Sequence, residues 1–348
     1  MMDMRRISLV FAAMAAILPF PGLAQQSQTV ASYRVISTTK VGGDGGFDYV
    51  YADVAARKLY TPRLGSSGRI TVFDLDTLKP VGEIANASAH GVAIDPVSHH
   101  AFGSSNPVTM WDSTTLATIK TIAVDGGPDG ITADPFSGWI FVFSHSAPNA
   151  TVLDAKDGSI AGTIDLGGAP EQAVADGKGH LYVDIEDKGS IAVVDTKTLA
   201  VTTHYDLAGK GNGCAGLTMD VKNNILFATC RNPQNMVILN AGDGTILDTL
   251  PIGSGTDGAA FNPATMEAFS SQGDGTLTVV KENSPASFAV EQTVQTLPHA
   301  KTLALDSKTG HILLITADFT PPPATPPGAR PARGQMIPDS FSIMVVGK

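Results

Sequence analysis

Along most of this 348-residue chain, apolar residues come in short runs that turn-forming residues interrupt. One unit shows the pattern. Gly130-Ile131-Thr132-Ala133 is a short apolar run, and Asp134-Pro135-Phe136-Ser137-Gly138 is a turn. The runs 139–143, 149–154 and 159–165 follow, the last two separated by Asp157-Gly158. Runs of this length bounded by Asp, Pro and Gly predict β-strands. No unit carries an apolar stripe at helical spacing.

The unit recurs. Its first run ends at Asp53, Asp95, Asp134, Asp176, Asp220, Asn262 and Asp306, spaced 39 to 44 residues apart. A four-stranded propeller blade repeats every 40–45 residues or so. Pro96, Pro135 and Pro263 follow their anchors, where a turn uses a preset φ. The expectation is an all-β, seven-bladed β-propeller over residues 25–348. The last unit has runs at 302–305, 311–316 and 341–346 but lacks a fourth. The run 33–41 precedes the first unit without partners of its own. It is expected to complete the last blade, so that the ring closes and no long edge stays unpaired. Six blades plus a tail is the alternative. A Pro-rich insert, 320–338, interrupts the last blade on the side where the inner strands begin. Proline removes ladder donors, so no pairing is expected there. The insert reads either as a solvated polyproline-like loop or as a lid over the central funnel.

The first residues follow a different pattern. Arg5 and Arg6 precede an uncharged run, 7–18; Pro19 and Pro21 break it, and Gly22-Leu23-Ala24 puts small residues at its exit. This order reads as a secretory signal peptide over 1–24, and its apolar run is shorter than the roughly 20 residues of a membrane span. The expected location is periplasmic or secreted, with no membrane span after cleavage and a monomeric mature chain. Loss of two bases and one acid with that segment moves the formal charge from −10 to −11. An acidic surface repels phosphate backbones, so no nucleic-acid partner is expected. Cys214 and Cys230 lie eight residues either side of Lys222, the centre of a predicted hairpin turn. In an exported chain they are expected to face each other as a disulfide. A redox dithiol or a soft-metal site would be the alternative, without CxxC spacing to support it.

Counting back five residues from each anchor gives equivalent positions at one mouth of the channel: Asp48, His90, Asp129, Glu171, Ala215, Asp257 and Lys301. The six ionisable ones form a candidate ligand-binding ring. Each could instead cap its own strand through local backbone N–H groups. The loops after the second strands add Arg63, His145, Glu186 and Arg231, with Asn106, Asp187, Asn232 and Gln272; His299 also falls on this side. Register sends His99, His100, His180 and His311 to the opposite face. His90, His145, Asp129 and Glu171 are candidate ligands for a divalent metal or partners in acid–base work, although no HxH or HExxH spacing supports this. Arg63 and Arg231 can clamp a carboxylate or pair with the ring acids. No GxSxG elbow, Walker loop or GxGxxG followed by a helix is present, so the sequence names no cofactor.

The segments Gly42-Gly43-Asp44-Gly45-Gly46-Phe47-Asp48-Tyr49, Ala173-Val174-Ala175-Asp176-Gly177-Lys178-Gly179 and Ala300-Lys301-Thr302-Leu303-Ala304-Leu305-Asp306, with the Pro-rich insert and the Ser342–Gly347 end, resemble the YncE-like or YVTN-repeat family. The literal YVTN string is absent from every blade. The resemblance implies an extracytoplasmic seven-bladed propeller of largely unassigned biochemistry. The expected function is a binding scaffold that holds a small molecule or a periplasmic protein at the central funnel. One alternative is a lactonase-like hydrolase or lyase using the mouth acids with His90 or His145. Another is a docking partner of a periplasmic redox enzyme.

Overall fold

The computed structural model describes residues 32–147, 149–323 and 334–348. The expected signal peptide, 1–24, and the middle of the Pro-rich insert lie outside the described residues. Every regular element described is a strand, and no described helix is long and apolar enough to cross a membrane.

The strands form seven four-stranded sheets. Their inner strands are Tyr51–Asp53, Val92–Ile94, Pro128–Asp134, Pro170–Ala175, Cys214–Asp220, Thr256–Asn262 and Leu303–Asp306, which number blades 1 to 7. Each predicted anchor stands at or just after the end of one of them. The anchors work alike: a side-chain oxygen accepts a backbone N–H two to three residues on. Examples are Ala56 to Asp53 at 2.9 Å, Ser98 to Asp95 at 2.7 Å, Lys222 to Asp220 at 2.9 Å and Ala264 to Asn262 at 3.0 Å. The repeated Asp is therefore an Asx turn that reverses the chain into the second strand.

Packing between blades explains the uninterrupted apolar second strands. In Trp139–Ser144, the side chains of Trp139, Phe141 and Phe143 turn towards blade 4, while Ile140 and Val142 turn towards blade 2. Seven such inter-blade cores exist, one for each adjacent pair. Each fully buried Phe or Leu contributes about 1.5–3 kcal/mol.

The ring closes as expected. Arg34–Lys40 pairs antiparallel with Ser342–Gly347, from Arg34 opposite Gly347 to Lys40 opposite Ser342, and forms the outer strand of blade 7. Polar clasps flank this join. Tyr33 Oη and Lys348 Nζ each donate to the buried Glu267 of blade 6 at 2.6 Å. On the other side, Arg57 of blade 1 donates to both oxygens of Asp306 at 2.8 Å and also reaches Asp76. Cys214 and Cys230 stand opposite each other in blade 5 and form a disulfide. By loop closure it stabilises the fold by about 3 kcal/mol.

The Pro-rich insert departs from expectation at its ends. Phe319 bridges Met336, Thr320 N–H donates to Gln335 O at 2.8 Å, and Ile337 N–H donates to Asp318 O at 2.8 Å. The paired residues 335–337 are not prolines, so they keep the donors that a ladder needs.

The Arg57–Asp306 pair gives a pH test of closure. Burial pushes the Asp306 carboxyl up, but Arg57, Thr309 and the Lys308 N–H outweigh it and hold the pKa at about 2. A depressed carboxyl pKa stabilises the fold above the unfolded value of about 3.9 and loses that contribution as pH falls through about 2. Asp306→Asn keeps the Asx turn and removes the charge. It should lower stability at pH 7 by about 1–2 kcal/mol, allowing for solvent screening. In denaturant titrations, the gap from wild type should close between about pH 4 and pH 2.

Candidate functional site

Inner strands crowd the axis at the position after each predicted ring residue. A Cβ on Gly130 would stand 2.9 Å from Glu171 O, and one on Gly216 would stand 2.8 Å from the carbonyl carbon of Gly258. Glycine lets these strands approach, and their approach brings the ring side chains together. In blades 1 and 4 the equivalent residues are Tyr49 and Gln172, which fill the axis instead. Gln172 Oε1 accepts the Leu217 N–H at 3.0 Å and the Ala259 N–H at 3.1 Å. Tyr49 Oη donates to Glu171 Oε2 at 3.1 Å. These side chains span the axis beside a small cavity of about 100 Å³ and give the mouth a floor, making it a cup.

Around that cup runs a circuit of charges. Glu186 pairs with Arg231, Arg231 with Asp257, and Asp257 with Lys301. Lys301 Nζ lies 3.0 Å from Asp48, and Asp48 lies 2.9 Å from His90 Nδ1. His90 Nδ1 is 3.2 Å from Asp129 Oδ1. His145 Nε2 is 3.5 Å from both Asp129 Oδ2 and Glu171 Oε1. Glu171 and Glu186 are electrostatic neighbours, which completes the circuit. All six ionisable ring positions take part, joined by His145, Glu186 and Arg231 from the second strands and their loops. Ala215 leaves a gap in blade 5, and Arg231 at the end of that blade's second strand spans it. Among the described residues, no backbone N–H donates to the carboxylates of Asp48, Asp129, Glu171 or Asp257; their partners are side chains. The strand-capping alternative therefore fails for them, and the anchors five residues later do the capping.

Acids outnumber bases in the circuit, and the titrations follow from that. Asp48, hydrogen-bonded to it, raises His90; Glu171, with Asp129 behind it, lifts His145 to about 9. Burial and the neighbouring Asp48 and Glu171 push Asp129 up. Burial opposes ionisation of Asp48 and Glu171 too, but Asp48 is held down by His90 and Lys301, and Glu171 by His145 and Arg231. Burial raises Glu186, with Glu171 adding to it. The circuit holds five carboxylates against Arg231 and Lys301 as its two permanent cations, so it carries −3 with neutral histidines and −1 with both protonated.

Two secondary candidates play other parts. Arg63 is buried; it donates to Asp44 O at 3.1 Å and Gly45 O at 3.0 Å and covers the Phe341 ring at 3.7 Å. It fastens the glycine-rich loop to blade 7 and stands outside the circuit. His299 packs edge-on against Phe319 with centroids 4.7 Å apart. Both line a cavity of about 810 Å³ together with Phe47, Lys301, Met336 and the paired ends of the insert. A larger cavity of about 960 Å³ opens on the opposite face. Its polar groups do not converge: Lys58 donates to Ser113 O and Thr114 O, and Asp53 accepts the Ala56 N–H.

Sequence reasoning passed over Tyr49, Phe47, Phe319 and Asp184 as site residues. Asp184 is fully buried on the second strand of blade 4, and neither carboxylate oxygen has a hydrogen-bond partner. Burial, followed by repulsion from Glu171, pushes its pKa well up. An acid within the apolar run Leu181-Tyr182-Val183-Asp184-Ile185 was a readable signal.

The circuit yields a stability test. Arg231→Met leaves Glu186 unpaired and removes one of the two cations on the buried Asp257. Because Arg231 is about one-third exposed, the expected loss is about 1–3 kcal/mol, below that for a fully buried pair. A denaturant midpoint within experimental scatter of wild type would show the circuit to be solvent-screened.

No family model matches the chain, and no curated protein sequence matches it. Solved structures share its fold. A chain of the "Crystal Structure of Mitotic Checkpoint Complex" superposes with a TM-score of 0.70 at 11% identity, over 88% of this chain and 96% of that one. The "Structure of U3-55K" gives 0.70 at 10% identity over 90% and 98%. The "Crystal structure of RRP9 WD40 repeats" gives 0.69 at 10% identity over 90% and 97%. Identity this low speaks to fold alone: the chain is a seven-bladed β-propeller with WD40-repeat structural neighbours.

Proposed function

We propose that this protein is an extracytoplasmic binding scaffold of the YncE-like kind that holds a small organic molecule at the mouth of its funnel. The observation that carries the reading is the cavity of about 810 Å³ beneath the insert. Its volume lies in the range of small-molecule sites, and its walls combine apolar rings with a few polar groups. Phe47, Phe319 and His299 supply flat surfaces. Lys301 is the one permanently charged side chain among the lining residues. An ammonium has three donors, and Asp48 and Asp257 use two of them, which leaves one for a ligand. The excess of acid around Lys301 disfavours a strongly anionic ligand. The fitting class is therefore a neutral, ring-bearing molecule with an acceptor group. The segment at 5–24 and the Cys214–Cys230 disulfide both suit an oxidising compartment outside the cytoplasm.

Nile red, a neutral fused ring with a carbonyl acceptor, is a suitable fluorescent probe. It should bind the native protein one to one. Phe319→Ala should weaken binding at least tenfold or so, the equivalent of about 1.4 kcal/mol. Lys301→Met should weaken it as well, whereas Val97→Ala on the opposite face should not. Absence of saturable binding, or equal binding by wild type and Phe319→Ala, would refute the cavity as the site.

A further inference from the structure

We infer that Asp129, His145 and Glu171 form a site for a divalent first-row transition metal, separate from the apolar cavity. The three come from adjacent parts of blades 3 and 4. Asp129 lies on the inner strand of blade 3, His145 just beyond that blade's second strand, and Glu171 on the inner strand of blade 4. One ligand atom from each lies within 4.8 Å of the others.

The spacing suits a ligand set. Charge-assisted hydrogen bonds run about 2.7–2.9 Å. His145 Nε2 stands instead 3.5 Å from both Asp129 Oδ2 and Glu171 Oε1. Metal bonds of about 2.0–2.2 Å in tetrahedral geometry separate ligand atoms by about 3.3–3.6 Å. The two separations from His145 match edges of such a tetrahedron. The neighbouring group of Asp48, His90 and Asp129 does not match in this way. Its 2.9 Å Asp48–His90 contact is a hydrogen bond, which assigns those two residues a supporting part.

The surroundings of the three ligands fit the same reading. His90, fixed by Asp48, faces Asp129 Oδ1, and Tyr49 donates to Glu171 Oε2. Tyr49 thus steadies one oxygen of Glu171, as outer groups orient metal ligands, and each carboxylate turns its other oxygen towards His145. Asp129 Oδ1 is buried without a hydrogen bond of its own. Around it the circuit holds more acid than base. A dication offsets this surplus of acid where no lysine or arginine touches Asp129. The His145 side chain is 45% exposed, so the fourth position faces the open cup, available to water or to a donor atom of a bound molecule. One imidazole with two carboxylates suits Zn²⁺ and Mn²⁺ better than Ca²⁺, which takes six to eight oxygens.

The test uses the full chain, stripped with chelator and titrated calorimetrically with Zn²⁺, Mn²⁺ and Ca²⁺. One Zn²⁺ should bind per chain, more tightly than Mn²⁺, and Ca²⁺ should bind more weakly than either. His145→Ala, Asp129→Asn and Glu171→Gln should each weaken Zn²⁺ at least tenfold or so, and Asp48→Asn by about tenfold through Asp129. His145 is half-exposed, so its alanine variant keeps the fold and carries the test should a carboxylate variant fail to fold. Zinc binding that survives His145→Ala, as a surface site at His99 and His100 would, overturns the proposal. So does the absence of stoichiometric zinc, or tighter binding of Ca²⁺. Nile red binding is scored on the same proteins. Its retention in His145→Ala would separate failure of the metal site from failure of the cavity.

Discussion

Sheets stacked face to face around an axis must be apolar on both faces, and the last must find the first. That requirement governs most of this molecule. It sets the uninterrupted apolar character of the second strands, in which Trp139, Phe141 and Phe143 serve one interface while Ile140 and Val142 serve the other. It also makes the completion of blade 7 a point of vulnerability, where Arg34–Lys40 has to travel back to Ser342–Gly347. The join is fastened by apolar packing and by two polar clasps, Glu267 with Tyr33 and Lys348, and Asp306 with Arg57. A buried, paired carboxylate adds geometric specificity to such a join even where its net stabilisation is modest.

The same packing concentrates charge. Seven inner strands drawn together by their inter-blade cores bring their entrances within hydrogen-bond range, and glycines such as Gly130 and Gly216 allow the closest approach. Any ionisable side chain at that entrance meets its neighbours. Arg231 and Lys301 neutralise one half of the circuit through Glu186, Asp257 and Asp48. On the other half, Asp129 and Glu171 contact His90, His145 and Tyr49, and no lysine or arginine pairs with them. The mouth is therefore asymmetric: a neutralised side opens onto the apolar cavity through Lys301, and an acid-rich side is centred on Asp129. Both lie above the floor formed by Tyr49 and Gln172, whose hydrogen bonds reach across the axis.

Legibility in the sequence differed between the levels of structure. The anchors were readable because an Asx turn is local: Asp220 needs only the N–H of Lys222. Repetition of a local event at a fixed period gives the number of blades. The disulfide was readable for a related reason, since a hairpin with a known turn fixes its own register. Counting back five residues from each anchor identified the ring, because the anchors set equivalent registers and carry equivalent residues to one mouth. That count does not reveal partners. Arg63 and Arg231 occupy equivalent places at the ends of second strands, yet one holds a glycine-rich loop and the other joins the charge circuit. The difference arises from neighbouring blades: Phe341 of blade 7 lies beneath Arg63, whereas Glu186 of blade 4 and Asp257 of blade 6 pair with Arg231.

The sequence by itself determined the repeat, the strand order within a blade, the completing strand and the positions that reach the mouth. These depend on turn chemistry and period, which act over a few residues. Tertiary structure alone decided which charges touch, that Tyr49 and Gln172 close the channel, that the insert's ends pair as a cavity wall, and that Asp184 is buried without a partner. Those features depend on distances of a few ångströms between residues far apart in the chain, such as Lys301 and Asp48. Coulombic and hydrogen-bond energies vary steeply over such distances, and a one-dimensional pattern does not encode them.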